Sequence, residues 1–332
     1  MTNSTNNLPL VRLSSINPFL LELSRRKADT GALLRELGLP VDVPASSELF
    51  VSAAAIYEFV EKSAEVAGDP YLGFRIGEAL DLGAWEPIAL AVAESNTVGG
   101  LLNHFVVNAL GHSSSTRFFL RTEGDRSTFG FSRAAKPALL PAQNDAFYLG
   151  FISRMLLHAT RDYWDPSLVL FKVADPEALP RLPGGLRIIQ GDDRGIQVSF
   201  PTEWLFEKFH KSAFHADVPE SEISHPPESL LESVQHALLP HIHEPSLTVD
   251  RAAEICGYSR RRLSRQLREK GTTLAREIAK LRAERAGNDL SQSDRRISDI
   301  ALSVGFKDPT VFSRAFKNWT GQSPQEFRKT HR

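Results

Sequence analysis

The stretch Ile300–Arg328, IALSVGFKDPTVFSRAFKNWTGQSPQEFR, decides the fold of the C-terminal part of this chain. Its first residues place apolar side chains on one face of a short helix. Gly305 suits the left-handed turn that ends such a helix. Asp308 can cap a second helix, and Pro309 fits its first position, where no backbone donor is needed. The stretch therefore predicts a helix-turn-helix unit.

The second helix of this unit, Pro309–Trp319, has two faces. Phe312 and Phe316 lie four residues apart and are expected to face the core. The opposite face carries short polar and basic side chains, together with the proline at its start: Pro309, Thr310, Ser313, Arg314 and Lys317.

The same plan occurs about 48 residues earlier, where AEICGY at Ala253–Tyr258 matches ALSVGF at Ala301–Phe306. Ser259 is the expected cap of the helix Arg260–Lys270 in this first copy. The two units cover about residues 248–270 and 298–320. The first copy exposes a strongly basic face: Arg260, Arg261, Arg262, Ser264, Arg265 and Arg268.

An exposed helix lined by arginine and hydroxyl side chains suits the major groove of double-stranded DNA, where arginine can bind guanine O6 and N7. The helix expected between the units, Leu274–Leu290, would span ~25 Å at ~1.5 Å per residue. That length suits two recognition helices in successive major grooves, ~34 Å apart. The basic and polar residues on both helices are therefore the predicted DNA-binding residues.

Charge is divided unevenly along the chain, although the net charge is only −1. Residues 228–332 hold 19 Lys/Arg and 13 Asp/Glu of totals of 39 and 40, which leaves 20 and 27 for residues 1–227. The balance is +6 in the C-terminal part and −7 in the N-terminal part. Basic surface favours phosphate contact, so the asymmetry agrees with the predicted DNA interface.

From about Leu230 to Lys329 the chain resembles the DNA-binding domain of AraC/XylS-type bacterial transcription regulators, most specifically over Ile300–Arg328. The resemblance implies that Arg261, Ser264 and Arg265 face DNA in the first unit. In the second unit it implies the same of Pro309, Thr310, Ser313 and Arg314, although proline there cannot donate a bond.

The N-terminal part, with a core of about 17–210, resembles the ligand-binding and dimerisation domain of one branch of these regulators. The resemblance rests on AGDP at Ala67–Pro70, LGFRIG at Leu72–Gly77 and the strand ending in Phe200-Pro201. It implies an effector-sensing function.

The N-terminal part reads as mixed α and β. Helical spacing favours helices over Phe50–Ala67, Thr97–Leu110 and Ala142–Tyr163. Strand patterns occur at Thr116–Thr122 and Ser127–Ser132, joined as a hairpin, and further on at Leu168–Val173 and Ile196–Phe200. We expect an α+β effector-binding and dimerisation domain over 1–216, a proline-containing linker over 217–229, and an all-α domain over 230–332 whose two helix-turn-helix units are joined by a long helix.

Several chemical readings are disfavoured. His241 and His243 stand two apart, so they do not share a helix face, and we expect no metal site. The glycines at 73, 77 and 83 do not form a phosphate-binding motif. Cys256, the single cysteine, reads as a small core residue. Trp85, Phe105, Tyr148, Phe151 and the pair Arg154/His158 are candidates for a pocket, with core or surface positions as the alternative.

The sequence thus predicts a sequence-specific DNA-binding transcription regulator, a ligand-responsive activator that is not an enzyme and has no cofactor. Expected partners are double-stranded DNA, a small-molecule effector, RNA polymerase and a second copy of the chain. No secretory signal or membrane span is predicted, which favours a cytoplasmic protein. The alternatives are a constitutive DNA-binding protein whose N-terminal domain only dimerises, and an enzyme fused to a DNA-binding module.

Overall fold

The computed structural model describes residues 8–83, 85–161, 163–182, 184–209, 211, 214, 225–227 and 229–331. The chain divides into two units, Pro9–Pro226 and one containing Pro227–Arg332. Most of the predicted linker, residues 217–224 and 228, lies outside the described residues.

The N-terminal unit is α+β, as predicted. Its helices are α1 Asn17–Arg25, α2 Thr30–Glu36, α3 Ala53–Ala67, α4 Leu72–Ala79, α5 Glu86–Glu94, α6 Val98–Asn108 and α7 Ala142–Ala159. Its strands are β1 Leu10–Arg12, β2 Phe50–Ser52, β3 Thr116–Glu123, β4 Arg126–Arg133, β5 Leu170–Val173, β6 Arg187–Gln190 and β7 Gln197–Pro201. Strands β1 and β2 form an antiparallel pair. The other five form a sheet in the order β3-β4-β7-β5-β6, antiparallel except for the β5–β6 pair.

Helix α7 forms the centre of this unit, and helix α4 packs directly on its backbone. A Cβ atom at Gly73 or Gly77 would collide with the carbonyl oxygens of Gln143 and Phe147, and one at Gly150 would lie 2.6 Å from Phe74 O. Glycine on both helices therefore permits an approach that any side chain would prevent. Gly73 and Gly77 serve helix packing, which agrees with their rejection as a phosphate loop.

Two predicted helix boundaries differ from the structure by three residues or more. Phe50–Ser52 is strand β2, and helix α3 begins only at Ala53; the helical spacing continues smoothly into the strand, so pattern alone could not separate them. Helix α7 ends at Ala159 rather than Tyr163, and Thr160 closes it with a backbone bond to Leu156 O. The hairpin β3–β4 is confirmed, with its turn at Gly124.

The C-terminal unit is all-α. Its helices are α8 Leu230–Leu238, α9 Val249–Ile255, α10 Arg260–Glu269, α11 Leu274–Gln292, α12 Ile297–Ser303, α13 Pro309–Thr320 and α14 Pro324–Thr330. The long helix α11 contacts each of the other six. It thereby connects the two predicted helix-turn-helix units, α9–α10 and α12–α13. Cys256, at the C-terminal end of α9, is buried, and burial raises the pKa of its thiol to about 12, as expected of a core residue.

Among the described residues, no helix is long and apolar enough to cross a bilayer.

Candidate DNA-binding interface and internal cavity

The two candidate recognition helices, α10 and α13, begin at side chains that the sequence predicted as caps. Ser259 Oγ accepts a bond from Arg262 N at 3.4 Å, and Asp308 Oδ1 accepts one from Thr310 N at 2.6 Å. Pro309 occupies the first position of α13. The bond from Thr310 holds the pKa of the Asp308 carboxyl below its usual value. Both helix starts are therefore fixed by bonds to otherwise unpaired backbone donors.

Each helix is seated by apolar side chains on its inner face. Leu263 and Leu267 of α10 are fully buried, as are Phe312 and Phe316 of α13. Phe306, which follows the turn at Gly305, packs its ring against those of Phe312 and Trp319, with centroids 5.8 and 5.7 Å apart. Because one face is held this firmly, the opposite face is presented to solvent in a fixed orientation.

The outer face of α10 carries a continuous stripe of arginine. Arg261, Arg265 and Arg268 are exposed at a spacing of four and three residues, and none of their guanidinium groups makes a hydrogen bond or ion pair with another described residue. Ser264, also predicted, is half-buried on the same helix. The three arginines are thus available to a polyanion.

The first and third arginines of the Arg260–Arg262 run are engaged within the protein. Arg260 Nη1 lies 3.0 Å from Asp250 Oδ2 on α9. The Arg262 guanidinium lies over the Tyr258 ring, 4.3 Å from its centroid. Both would have to leave these partners, or extend past them, to reach DNA, so Arg261 is the member of the run best placed for contact.

Helix α13 exposes the rest of the predicted residues. Pro309, Thr310, Arg314 and Lys317 are all exposed, and the side chains of Arg314 and Lys317 make no hydrogen bond or ion pair with the described residues. Ser313 is half-buried, and its hydroxyl donates to Pro309 O at 2.8 Å. This hydroxyl keeps its acceptor capacity, but its proton is already engaged.

Sequence reasoning missed Arg282, which lies in the middle of α11 and joins the two helix-turn-helix units. Its Nε donates to Ile242 O at 3.1 Å and its Nη2 donates to Glu244 O at 2.8 Å. Its guanidinium also lies over the Phe306 ring at 5.4 Å. Burial lowers the pKa of this guanidinium. Arg282 therefore links the loop before the first helix-turn-helix unit to Phe306 of the second. The sequence gives no local signal for this role.

The loop whose carbonyl oxygens accept bonds from Arg282 also contains His241 and His243. His241 Nδ1 lies 2.7 Å from Glu244 Oε1, inside the loop itself. Within the described part of the chain, no group of three His, Cys, Asp or Glu side chains is placed to hold a metal ion.

The N-terminal unit contains a cavity of about 910 Å³. Of the predicted pocket candidates, Trp85 and Tyr148 line it, whereas Phe105 and Phe151 are fully buried in the core beside it. Arg154 and His158 do not line it: Arg154 donates to Glu78 O, and His158 packs against Phe214. The cavity is therefore formed by elements that the sequence did not connect, above all α1, α3, α4 and the loop before β3.

Comparison with known proteins assigns a family to each unit. Residues 252–330 match the model of a helix-turn-helix domain. Residues 28–183 match the model of the arabinose-binding domain found at the N-terminus of AraC transcription regulators. The chain belongs to the AraC family of DNA-binding transcription regulators.

Individual relatives of this AraC-family regulator are similar to it over about 90 to 100 residues, the length of one helical domain. The transcriptional activator NphR of a Rhodococcus species is 31% identical over 101 residues, which are 30% of either chain. An HTH-type transcriptional regulator of Staphylococcus aureus strain MSSA476 is 36% identical over 89 residues, 26% of this chain and 12% of that protein. The chain thus spans less than a third of the length of these relatives.

A solved structure is similar over the same fraction of the chain. The C-terminal domain of AraT, a response regulator from Geobacillus stearothermophilus, is 31% identical, with 30% of this chain and 84% of that one covered and a TM-score of 0.29. The matched proteins are transcription regulators rather than enzymes.

Proposed function

We propose that this AraC-family protein is a ligand-responsive transcription activator that binds double-stranded DNA through α10 and α13. The observation that carries the proposal is the pair of exposed basic faces on two capped helices, both packed on the single helix α11. At ~1.5 Å per residue its 19 residues span ~28 Å, close to one turn of DNA. The two helices would then enter successive major grooves.

The DNA contacts are proposed residue by residue. Arg261, Arg265 and Arg314 are the candidates for base contact, because each is exposed and unpaired among the described residues. Arg268 and Lys317, one turn further along their helices, suit phosphate contact.

The responsive part of the proposal rests on the cavity. A cavity of about 910 Å³ is in the range of small-molecule sites, ~300–1,000 Å³, and a domain that only dimerises has no need of one. This observation favours an effector-sensing regulator over a constitutive DNA-binding protein. Activation is proposed from the similarity to the transcriptional activator NphR. Dimerisation, contact with RNA polymerase and a cytoplasmic location remain predictions from the family resemblance.

The DNA-binding part can be tested with the full chain and a duplex selected from a random pool. Arg265→Ala and Arg314→Ala should each weaken binding to the selected duplex by ~1–3 kcal/mol and relax preference at a few base pairs. Lys317→Ala should weaken binding to all sequences about equally and reduce its salt dependence.

The matched control is Arg285→Ala on α11, an exposed arginine that faces Asp289 at 3.6 Å. It should bind the duplex like the unaltered protein. Unchanged affinity in both Arg265→Ala and Arg314→Ala would refute the assignment of α10 and α13 as recognition helices.

A further inference from the structure

One wall of the N-terminal cavity is a continuous row of aromatic rings. Phe19, Phe147, Tyr148 and Phe118 follow one another with centroid separations of 5.5, 5.3 and 5.9 Å, and all four line the cavity. Trp85 adds a further ring. Such a wall binds flat or bulky apolar bodies through dispersion and ring contacts.

The polar groups of the cavity include a cluster of hydroxyls. Tyr57 Oη donates to Ser115 Oγ at 3.1 Å, and Ser115 Oγ lies 2.7 Å from Ser113 Oγ. Ser113 Oγ also donates to Leu10 O at 3.3 Å and accepts a bond from Ser115 N at 3.0 Å. The protons of the cluster are therefore engaged within the protein, and what it retains for a ligand is acceptor capacity. These three residues offer hydrogen bonds without a formal charge.

Tyr148 provides a second uncharged contact, from within the aromatic row. Its side chain is half-buried and lines the cavity, and burial raises the pKa of its hydroxyl. No hydrogen bond joins its Oη to another described residue. This hydroxyl is therefore available to a ligand.

The charged side chains that line the cavity are compensated within the protein. Arg12 Nη1 lies 2.7 Å from Glu48 Oε2, and Arg75 Nη1 lies 3.0 Å from Asp69 Oδ2. Glu22 Oε1 lies 2.8 Å from Arg26 Nε.

The remaining ionisable groups near the cavity favour no ligand charge either. Glu86 stands in the first turn of α5, where the helix N-terminus favours its negative charge. Asp81 is exposed, and its carboxylate accepts a bond from Gly83 N. Burial lowers the pKa of His112 to about 4, and its Nε2 lies 3.1 Å from Glu86 Oε2, so the imidazole and this carboxylate are partners within the protein. A charged ligand would lose part of its hydration, and the exposed Asp81 and Arg25, the latter 3.8 Å from Glu22 Oε2, are themselves solvated and would return little of it.

We propose that the cavity binds an uncharged ring compound that carries a hydroxyl or carbonyl group. The apolar ring lies against the Phe19–Phe147–Tyr148–Phe118 row. The oxygen accepts a bond from the Tyr148 hydroxyl or, where it carries a proton, donates to the Tyr57–Ser113–Ser115 hydroxyls. This assignment rests on the proposed function, because it names the chemistry of the effector that the regulator would sense.

The charge requirement is tested by calorimetric titration of the full chain at pH 7 with three compounds that share one ring system. The probes are naphthalen-2-ylmethanol, naphthalene-2-carboxylate and naphthalen-2-ylmethylammonium. The alcohol should bind at least about tenfold more tightly than either ion. Equal or tighter binding of an ion, or the absence of binding by the alcohol, would overturn the assignment.

The hydrogen bond is tested by Tyr148→Phe, which removes the hydroxyl and retains the ring. One lost hydrogen bond should reduce affinity for the alcohol about 3-fold to 10-fold. Affinity for 2-methylnaphthalene, which has no hydroxyl, should not change. Tyr163→Phe, an exposed tyrosine outside the cavity, is the control and should leave both affinities unaltered. An equal loss for both ligands in Tyr148→Phe would show that this residue acts by packing alone.

Failure of this inference can be distinguished from failure of the proposed function. Affinity for the selected duplex is measured with and without each probe. If the alcohol binds but leaves DNA affinity unaltered, the cavity chemistry stands and the effector role fails. If only an ion binds and it changes DNA affinity, the effector role stands and the chemistry proposed here is wrong.

Discussion

Replacing Gly305 by alanine should damage the second helix-turn-helix unit more than the same change at another left-handed glycine. Gly305 has φ +84°, and a Cβ there would lie 2.9 Å from both Ile242 O and Glu244 O. These are backbone atoms that Arg282 holds in place, so they cannot move aside cheaply.

The expected loss in the free energy of unfolding has two parts. A left-handed conformation costs a residue with a Cβ about 1–2 kcal/mol. Forcing an atom into a packed contact adds ~1–3 kcal/mol. At Gly321, which has φ +81° and nothing within 4 Å of its Cβ position, an alanine would incur only the cost of the left-handed conformation. We therefore expect Gly305→Ala to lower the free energy of unfolding by about 2–5 kcal/mol, and Gly321→Ala by about 1–2 kcal/mol.

The assay is urea unfolding of residues 227–332, followed by the fluorescence of Trp319. This is the only tryptophan in that segment, and its ring centroid lies 5.7 Å from that of Phe306, next to Gly305. Gly305→Ala should also weaken binding to the selected duplex, because the turn sets the angle at which α13 leaves α12. Equal destabilisation by the two alanines would refute the argument from close packing.

Three further predictions concern buried groups. The ion pair between Arg133 and Asp145 has side chains 1% and 0% exposed, so Asp145→Ala should destabilise the N-terminal unit by about 3–5 kcal/mol in chemical denaturation, and adding Arg133→Met should restore much of that loss; a double variant less stable than the single one would contradict this. Burial raises the pKa of Glu61 to about 7, so its folded form holds a proton that the unfolded form has released. Stability relative to Glu61→Gln should therefore fall as pH rises from about 4.5 to about 7, measured by thermal unfolding across that range, and a rise would refute the assignment. The Cys256 thiol, with a pKa of about 12 and 2% exposure, should react with a disulfide reagent at pH 8 only as fast as its surroundings unfold, and rapid reaction in the folded protein would place it outside the core.

Much of the C-terminal unit could be predicted from sequence because its signals are local. Caps, turn glycines and buried positions at helical spacing act within a few residues, and Ser259, Asp308, Phe312 and Phe316 all lie where the pattern placed them. The exposed arginines follow from the same periodicity. Whether they bind DNA remains a proposal, since exposure shows availability rather than contact.

The pairing of arginines was not predictable in this way. Arg260 and Arg261 are neighbours of identical type, yet only Arg260 reaches a carboxylate, Asp250, ten residues earlier. Which guanidinium is engaged depends on how α9 crosses α10, and that crossing is set by packing.

The N-terminal unit shows the same limit more strongly. Three-residue strands such as β1 and β2 carry too little pattern to be recognised, and they form because distant segments pair, Leu10 with Ser52. The LGFRIG motif indicated the family, but only the structure shows that its glycines allow α4 to contact the backbone of α7.

The sequence by itself determined two helix-turn-helix units, their inner and outer faces, and the family resemblance, because all of these depend on residues close together along the chain. Tertiary structure alone decided the cavity, the Arg282 link and the buried Arg133–Asp145 pair. These features join residues that are distant along the chain: 12 positions separate Arg133 from Asp145, and 128 separate Phe19 from Phe147 in the cavity wall. Their energy comes from desolvation and close packing, which exist only after the chain has folded.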